Sequence, residues 1–121
     1  MKRFLGVCLA LGALLVSLPV WAEARLLRNP TVGEGKLAFV YANDIWVTSD
    51  SGGEARRLTT FPGAETSPHL SPDGSMVAFS GQYDGNVDVF VVPVEGGEPR
   101  RLTWHPGGDN VRGWSLDGKS V

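Results

Sequence analysis

The sequence predicts an all-β fold of propeller blades: about two four-stranded blades and the start of a third. Three observations carry this. Residues 44–77 and 88–121 are one segment written twice at a constant offset of 44 residues, with 15 identities in 34 aligned positions. A repeat of that length, built of short strands and glycine turns, is the mark of blades that stack on their neighbours. Beyond residue 25, apolar and β-branched residues come in short runs separated by turn residues, with no helical periodicity. The identities also gather in turn chemistry: Gly52-Gly53-Glu54 recurs as Gly96-Gly97-Glu98, and Asp73-Gly74 as Asp117-Gly118.

The first 22 residues stand apart from that fold. Lys2 and Arg3 precede an uncharged, mostly apolar run of 15 residues from Phe4 to Leu18, then Pro19 and the small residues Ala22 and Ala24. This is the layout of a secretory signal peptide cleaved after Ala22 or Ala24. The run is shorter than the roughly 20 apolar residues of a membrane span. Export to the periplasm or the medium is expected, with no membrane attachment after cleavage. Cys8 would leave with the signal, so no disulfide could staple the mature chain. After Ala22, 99 residues remain with 9 basic and 13 acidic side chains, net −4. That balance argues against nucleic acid or anionic membrane surfaces as partners.

Within residues 25–121 the blades are expected at about 25–60 and 65–104, with an incomplete one at 109–121. Gly33-Glu34-Gly35 reads as a turn into Lys36; no helix follows, so it is no nucleotide loop. Leu37–Tyr41 and Asp44–Thr48 read as strands joined by Ala42-Asn43, and Ser51-Gly52-Gly53 turns the chain into Arg56-Arg57-Leu58-Thr59. A loop with Pro62-Gly63 leads to Thr66–Leu70 and Ser71-Pro72-Asp73-Gly74. There proline presets φ, Asp accepts backbone hydrogen bonds and Gly tolerates positive φ. Met76–Ser80 and Val87–Val92 are the next strands, and Gly96-Gly97 turns into Arg100–Thr103. The third unit opens at Asn110–Trp114, with Leu116 where the preceding copy has Pro72. Closed propellers use about four to eight blades. The chain is therefore expected to be the front of something longer, with Phe39, Trp46, Phe79 and Phe90 on uncovered faces.

Several constellations suggest chemistry and weigh toward structure. Asp84, Asn86, Asp88 and Glu95 occupy positions 1, 3, 5 and 12 of a calcium-loop pattern, but Val89 stands where glycine is required and Val89–Val92 reads as strand. Asp84-Gly85-Asn86 reads better as a turn. His69 and His105 could each pair with a serine such as Ser71 or Ser80, yet no nucleophile-elbow pattern surrounds any serine. Arg56-Arg57 and Arg100-Arg101 could hold a peptide carboxylate. They read more simply as charges that protect an edge strand, one of each pair facing solvent and the other meeting an acid such as Glu54 or Glu98. No catalytic, cofactor-binding or metal-ligating residue is assigned.

Ser71-Pro72-Asp73-Gly74, the strand ending Ala78-Phe79-Ser80, and Gly96-Gly97-Glu98-Pro99-Arg100-Arg101-Leu102-Thr103 resemble the propeller repeat of TolB-type periplasmic proteins and tricorn-type proteases. Three segments look like the opening blades of tricorn protease homologues: Leu37–Trp46, Phe79–Asn86 with its Tyr83-Asp84-Gly85-Asn86 loop, and Arg101–Gly107 with Trp104-His105-Pro106-Gly107. The resemblance covers residues 25–121. It implies a propeller ahead of a PDZ-like domain and a secreted serine-protease core, gating or routing peptides or unfolded polypeptides toward that core, with homo-oligomerisation left open. None of the family's catalytic positions falls within this sequence, so the chain alone is expected to be inactive. The alternatives are a non-enzymatic TolB-like scaffold that binds protein partners and the propeller of a prolyl-oligopeptidase-type peptidase.

Overall fold

The computed structural model describes residues 27–121, so the signal segment and its cleavage site lie outside the described residues. The described chain forms two antiparallel four-stranded sheets and no helix. The first sheet holds β1 (Arg28–Gly33), β2 (Lys36–Tyr41), β3 (Asp44–Ser49) and β4 (Arg56–Arg57) in meander order. The second repeats the plan with β5 (Ala64–Leu70), β6 (Met76–Gln82), β7 (Val87–Pro93) and β8 (Arg100–Arg101).

Register follows from the turns. Ala42 and Asn43, at φ 50° and 69°, form the two-residue link between β2 and β3. Two positive-φ residues match the right-handed twist of a tight hairpin. Phe39 then lies opposite Trp46, and Ala38 opposite Val47. In the second sheet Phe79 faces Phe90, and Val77 faces Val92. The strands β1 and β5 each carry a bulge, between Arg28 and Thr31 and between Thr66 and His69. Each bulge places a positive-φ residue before a proline, Asn29-Pro30 and Ser67-Pro68, at φ 49° and 53°. Proline has no N–H to lose at an unpaired bulge position. The outer strands β4 and β8 have two residues each, which leaves little edge for another chain to pair with.

Alternation along the strands gives every sheet two different faces. Ala38, Val40, Ile45, Val47 and Leu58 of the first sheet pack against Val77, Phe79, Phe90 and Val92 of the second. The other face of the second sheet, Ala78, Val89 and Val91, packs against Val111, with Met76, Leu102 and Trp114 around it. This corrects the expected exposure: Phe79 and Phe90 lie between the sheets, Phe39 is buried and Trp46 is half-buried. The indole N–H of Trp46 is buried and has no partner among the described residues.

Both Ser-x-Asp-Gly turns close in the same way. Ser71 and Ser115 donate to Asp73 and Asp117 at 2.7 and 2.6 Å, and the backbone N–H groups of Gly74 and Gly118 reach the carbonyls of Ser71 and Ser115 at 2.9 Å. Leu116, 99% exposed in place of the proline, leaves these bonds unchanged. Hydrogen bonds from Ser75 and Ser71 hold the Asp73 carboxyl down at about 2, and those from Ser115 and Lys119 lower Asp117. Asn110–Trp114 forms no strand. It is held by Val111 N–H donating to Ser80 Oγ at 2.9 Å and by the Trp114 indole donating to the His69 carbonyl at 2.8 Å.

Candidate functional site

The residues identical in both copies build one polar latch per sheet. Arg57 meets Asp44 at 2.7 Å and donates through Nε to the Thr59 carbonyl at 3.0 Å, while Thr59 Oγ1 accepts from Ile45 N–H at 2.9 Å. Arg101 meets Asp88 at 2.6 Å and donates to the Thr103 carbonyl at 2.7 Å, while Thr103 Oγ1 accepts from Val89 N–H at 3.0 Å. The partners are thus Asp44 and Asp88, which corrects Glu54 and Glu98. The β3–β4 and β7–β8 ladders bring each arginine beside the start of the neighbouring strand, whereas Glu54 and Glu98 precede the outer strands. Arg56, paired with Val47, lies on the side of the second sheet and donates to the carbonyl of Val94, just past β7. Arg56, Arg57 and Arg101 are thereby engaged in structure rather than presented as a carboxylate clamp, while Arg100 is exposed.

Of the calcium-loop candidates, Asn86 donates to Asp88 at 3.5 Å and Asp84 lies 3.8 Å from the Arg101 that holds Asp88, whereas Glu95 stays apart. Asp84 and Asn86 lie in the β6–β7 turn, where Asn86 donates to the carbonyls of His105 and Gly107 at 2.9 and 3.2 Å. Glu95 lies beyond the far end of the seven-residue strand β7, about 20 Å of extended chain away. His69 Nδ1 contacts the Ser67 carbonyl at 2.9 Å, and His105 Nδ1 accepts from Gly107 N–H at 2.9 Å. Ser71 serves its turn and Ser80 accepts from Val111, so neither serine takes a histidine as its partner in these bonds.

Sequence reasoning missed Glu65. It is the second residue of β5, 1% exposed, and joins the two sheets. One carboxylate oxygen, Oε2, accepts from Ile45 N–H at 3.1 Å and from the Thr59 hydroxyl; the other, Oε1, accepts from the Tyr83 hydroxyl. Burial raises its pKa above 4.5, with Asp44 adding to the rise and the three hydrogen bonds opposing it. Burial and Glu65 together push the Tyr83 hydroxyl upward. Tyr83 is fixed edge-on against Phe90 with ring centres 4.8 Å apart. Beside Glu65 a cavity of about 340 Å³ opens between the Ala42-Asn43 turn and the adjacent strands β1 and β5, with Arg28, Asn29, Tyr41 and Thr66 also on its walls. One signal was available: Asp109 occupies the same place in the next copy, and both residues donate backbone N–H to the β2–β3 or β6–β7 side, Glu65 to Asn43 at 3.0 Å and Asp109 to Val87 at 2.7 Å.

This architecture has clear relatives. The tricorn protease N-terminal beta propeller domain matches residues 24–121. Tricorn protease homolog 1 of Streptomyces coelicolor is 39% identical over 99 residues, which cover 81% of this chain and 9% of the homolog. The crystal structure of the tricorn protease superimposes with a TM-score of 0.67 at 25% identity, over 77% of this chain and 10% of that one. TolB from Acinetobacter baumannii gives 0.67 at 22% identity, over 76% of this chain and 25% of that one, which shows a shared fold. The chain thus spans about a tenth or less of the two tricorn proteins it matches. With two sheets in propeller order and a match across all its described residues, the chain belongs to the tricorn protease N-terminal β-propeller family.

Proposed function

We propose that this chain is the opening, non-catalytic part of a propeller in a longer, exported serine peptidase, where it admits or routes peptides toward a protease core outside this sequence. The family match over residues 24–121 carries the reading. The engagement of His69, His105, Ser71 and Ser80 in local hydrogen bonds supports a non-catalytic role. The purified chain is expected to leave unstructured peptides uncut. Reproducible cleavage abolished by Ser71→Ala or His69→Ala would overturn this. In the complete protein, removing the whole propeller is expected to spare cleavage of short reporter peptides and to change the handling of long unfolded chains. Identical turnover of both substrate classes would sink the routing role.

The second reading is a TolB-like scaffold that binds protein partners, favoured by the comparable superposition on TolB. Both readings share export. The mature protein is expected to begin at Glu23 or Arg25 on N-terminal sequencing; a mature form that retains Met1 speaks against it.

A further inference from the structure

We propose that the cavity beside Glu65 binds a primary ammonium group, with Glu65 as the receiving carboxylate and Asn29 and Asn43 as neutral acceptors on the wall. Glu65 is a buried acid served by neutral donors alone: one backbone N–H and two hydroxyls. Among the described residues no cation forms an ion pair with it. Arg57, the cation of the neighbouring latch, is taken by Asp44 at 2.7 Å. Arg28, exposed on the cavity's other wall, forms no ion pair with Glu65. A buried carboxylate without a counter-charge is costly, and burial accordingly raises its pKa. A cation entering the cavity would supply what the protein leaves out.

The hydrogen bonds select the kind of cation. A carboxylate offers about four acceptor positions, two on each oxygen. Ile45 and Thr59 fill both on Oε2, and Tyr83 fills one on Oε1. One position remains. A guanidinium binds carboxylates best as a fork across both oxygens, which the filled Oε2 prevents. An ammonium is a compact charge with separate donors, and it fits a single open position on Oε1. A divalent metal wants several oxygen or nitrogen ligands, and the described residues contain no group of three or more His, Cys, Asp or Glu placed to hold one. Arg28 at the rim suits a ligand whose ammonium is followed by a carbonyl or carboxylate. The ammonium could come from a peptide α-amine or a lysine side chain. The site does not rest on the routing role: either can fail while the other stands.

The test titrates the full chain with three amides and follows the backbone amide resonances of Asn43, Glu65 and Thr66. Leucinamide presents an α-ammonium, N-acetyllysinamide an ε-ammonium and N-acetylleucinamide neither. At least one ammonium probe is expected to shift these resonances in a saturable way, identifying the source, while N-acetylleucinamide leaves them in place. Glu65→Gln, which keeps the shape and an acceptor, is expected to weaken binding at least tenfold. In the wild type, affinity is expected to rise with pH as Glu65 ionises. Asp44, Arg57, Arg28 and Tyr83 are the other charged or titratable groups around it, and comparison with Glu65→Gln subtracts their contribution. Shifts with all three probes, shifts with none, or undiminished binding by Glu65→Gln would overturn the proposal. Should that variant not fold, the acetylated probe and the wild-type pH dependence decide.

Discussion

Phe79→Ala is expected to destabilise the chain by about 3–5 kcal/mol, read as a lowered urea midpoint with the slope unchanged. Phe79 is 0% exposed and lies at the centre of the contact between the sheets. Its ring stacks on Phe90 at 5.7 Å with 17° between the planes, and Ala38, Val40, Ile45 and Val47 belong to the same cluster. Two hydrogen-bonded sheets cannot close around a missing ring as a loop could, so the lost burial and the residual cavity both count. Leu116→Ala, at a side chain that is 99% exposed, serves as the control and is expected to change stability by less than about 0.5 kcal/mol. A Phe79→Ala loss below about 1 kcal/mol would mean that the sheets do not depend on each other for burial.

Glu65→Ala is expected to be nearly as damaging, through a different cause. It strips the acceptor from the Tyr83 and Thr59 hydroxyls, while Ile45 N–H keeps Thr59 Oγ1. Each buried donor left without a partner costs about 1–3 kcal/mol. Glu65→Gln keeps an acceptor and lets the Tyr83 hydroxyl turn to receive the new amide, so its loss is smaller. The two side chains separate by pH. Burial raises the Glu65 pKa in the folded state, so folding favours the protonated acid. That contribution is complete below the ordinary value of 4.5 and is lost as pH rises through the folded value. The stability of the wild type minus that of Glu65→Gln is therefore expected to fall from pH 4.5 upward and then level off. Asp73 acts with the opposite sign and in a lower window: its carboxyl is held at about 2, so its contribution is present above 3.8 and lost toward 2. A difference curve that is flat, or that rises with pH above 4.5, would contradict the burial of Glu65.

The repeat made most of the fold legible, because the identical residues are the ones whose roles are local. Ser71, Asp73 and Gly74 close a turn among themselves, and Arg57-Leu58-Thr59 acts on the adjacent strand β3. The strand β1 was less visible: Pro30 lacks an N–H for a ladder, and the bulge between Arg28 and Thr31 accommodates it. The acid partner of each arginine was misread because sequence proximity favours Glu54, whereas strand pairing puts Asp44 beside Arg57. Glu65, signalled only by the acid Asp109 in the same place of the next copy, was missed for a related reason. Its donors lie 6, 18 and 20 residues away on three different segments, and no local pattern announces such a convergence.

The two unlike faces of each sheet have a consequence for how such chains grow. The aromatic pair Phe79–Phe90 always looks back toward the aliphatic row Ala38, Val40, Ile45 and Val47, and the row Ala78, Val89 and Val91 looks forward to the next unit. Phe39 and Trp46 occupy the backward-looking position in the first sheet by the same register. Stacking is therefore head to tail, with one direction built into every unit. An extra copy spliced in at the boundary between Thr59 and Ala64 would arrive with both surfaces already matched. A copy facing the other way would set aromatic against aromatic at one junction and aliphatic against aliphatic at the other, matching neither neighbour. Duplication in tandem is thus an easy route to a longer array, and inversion is closed to it.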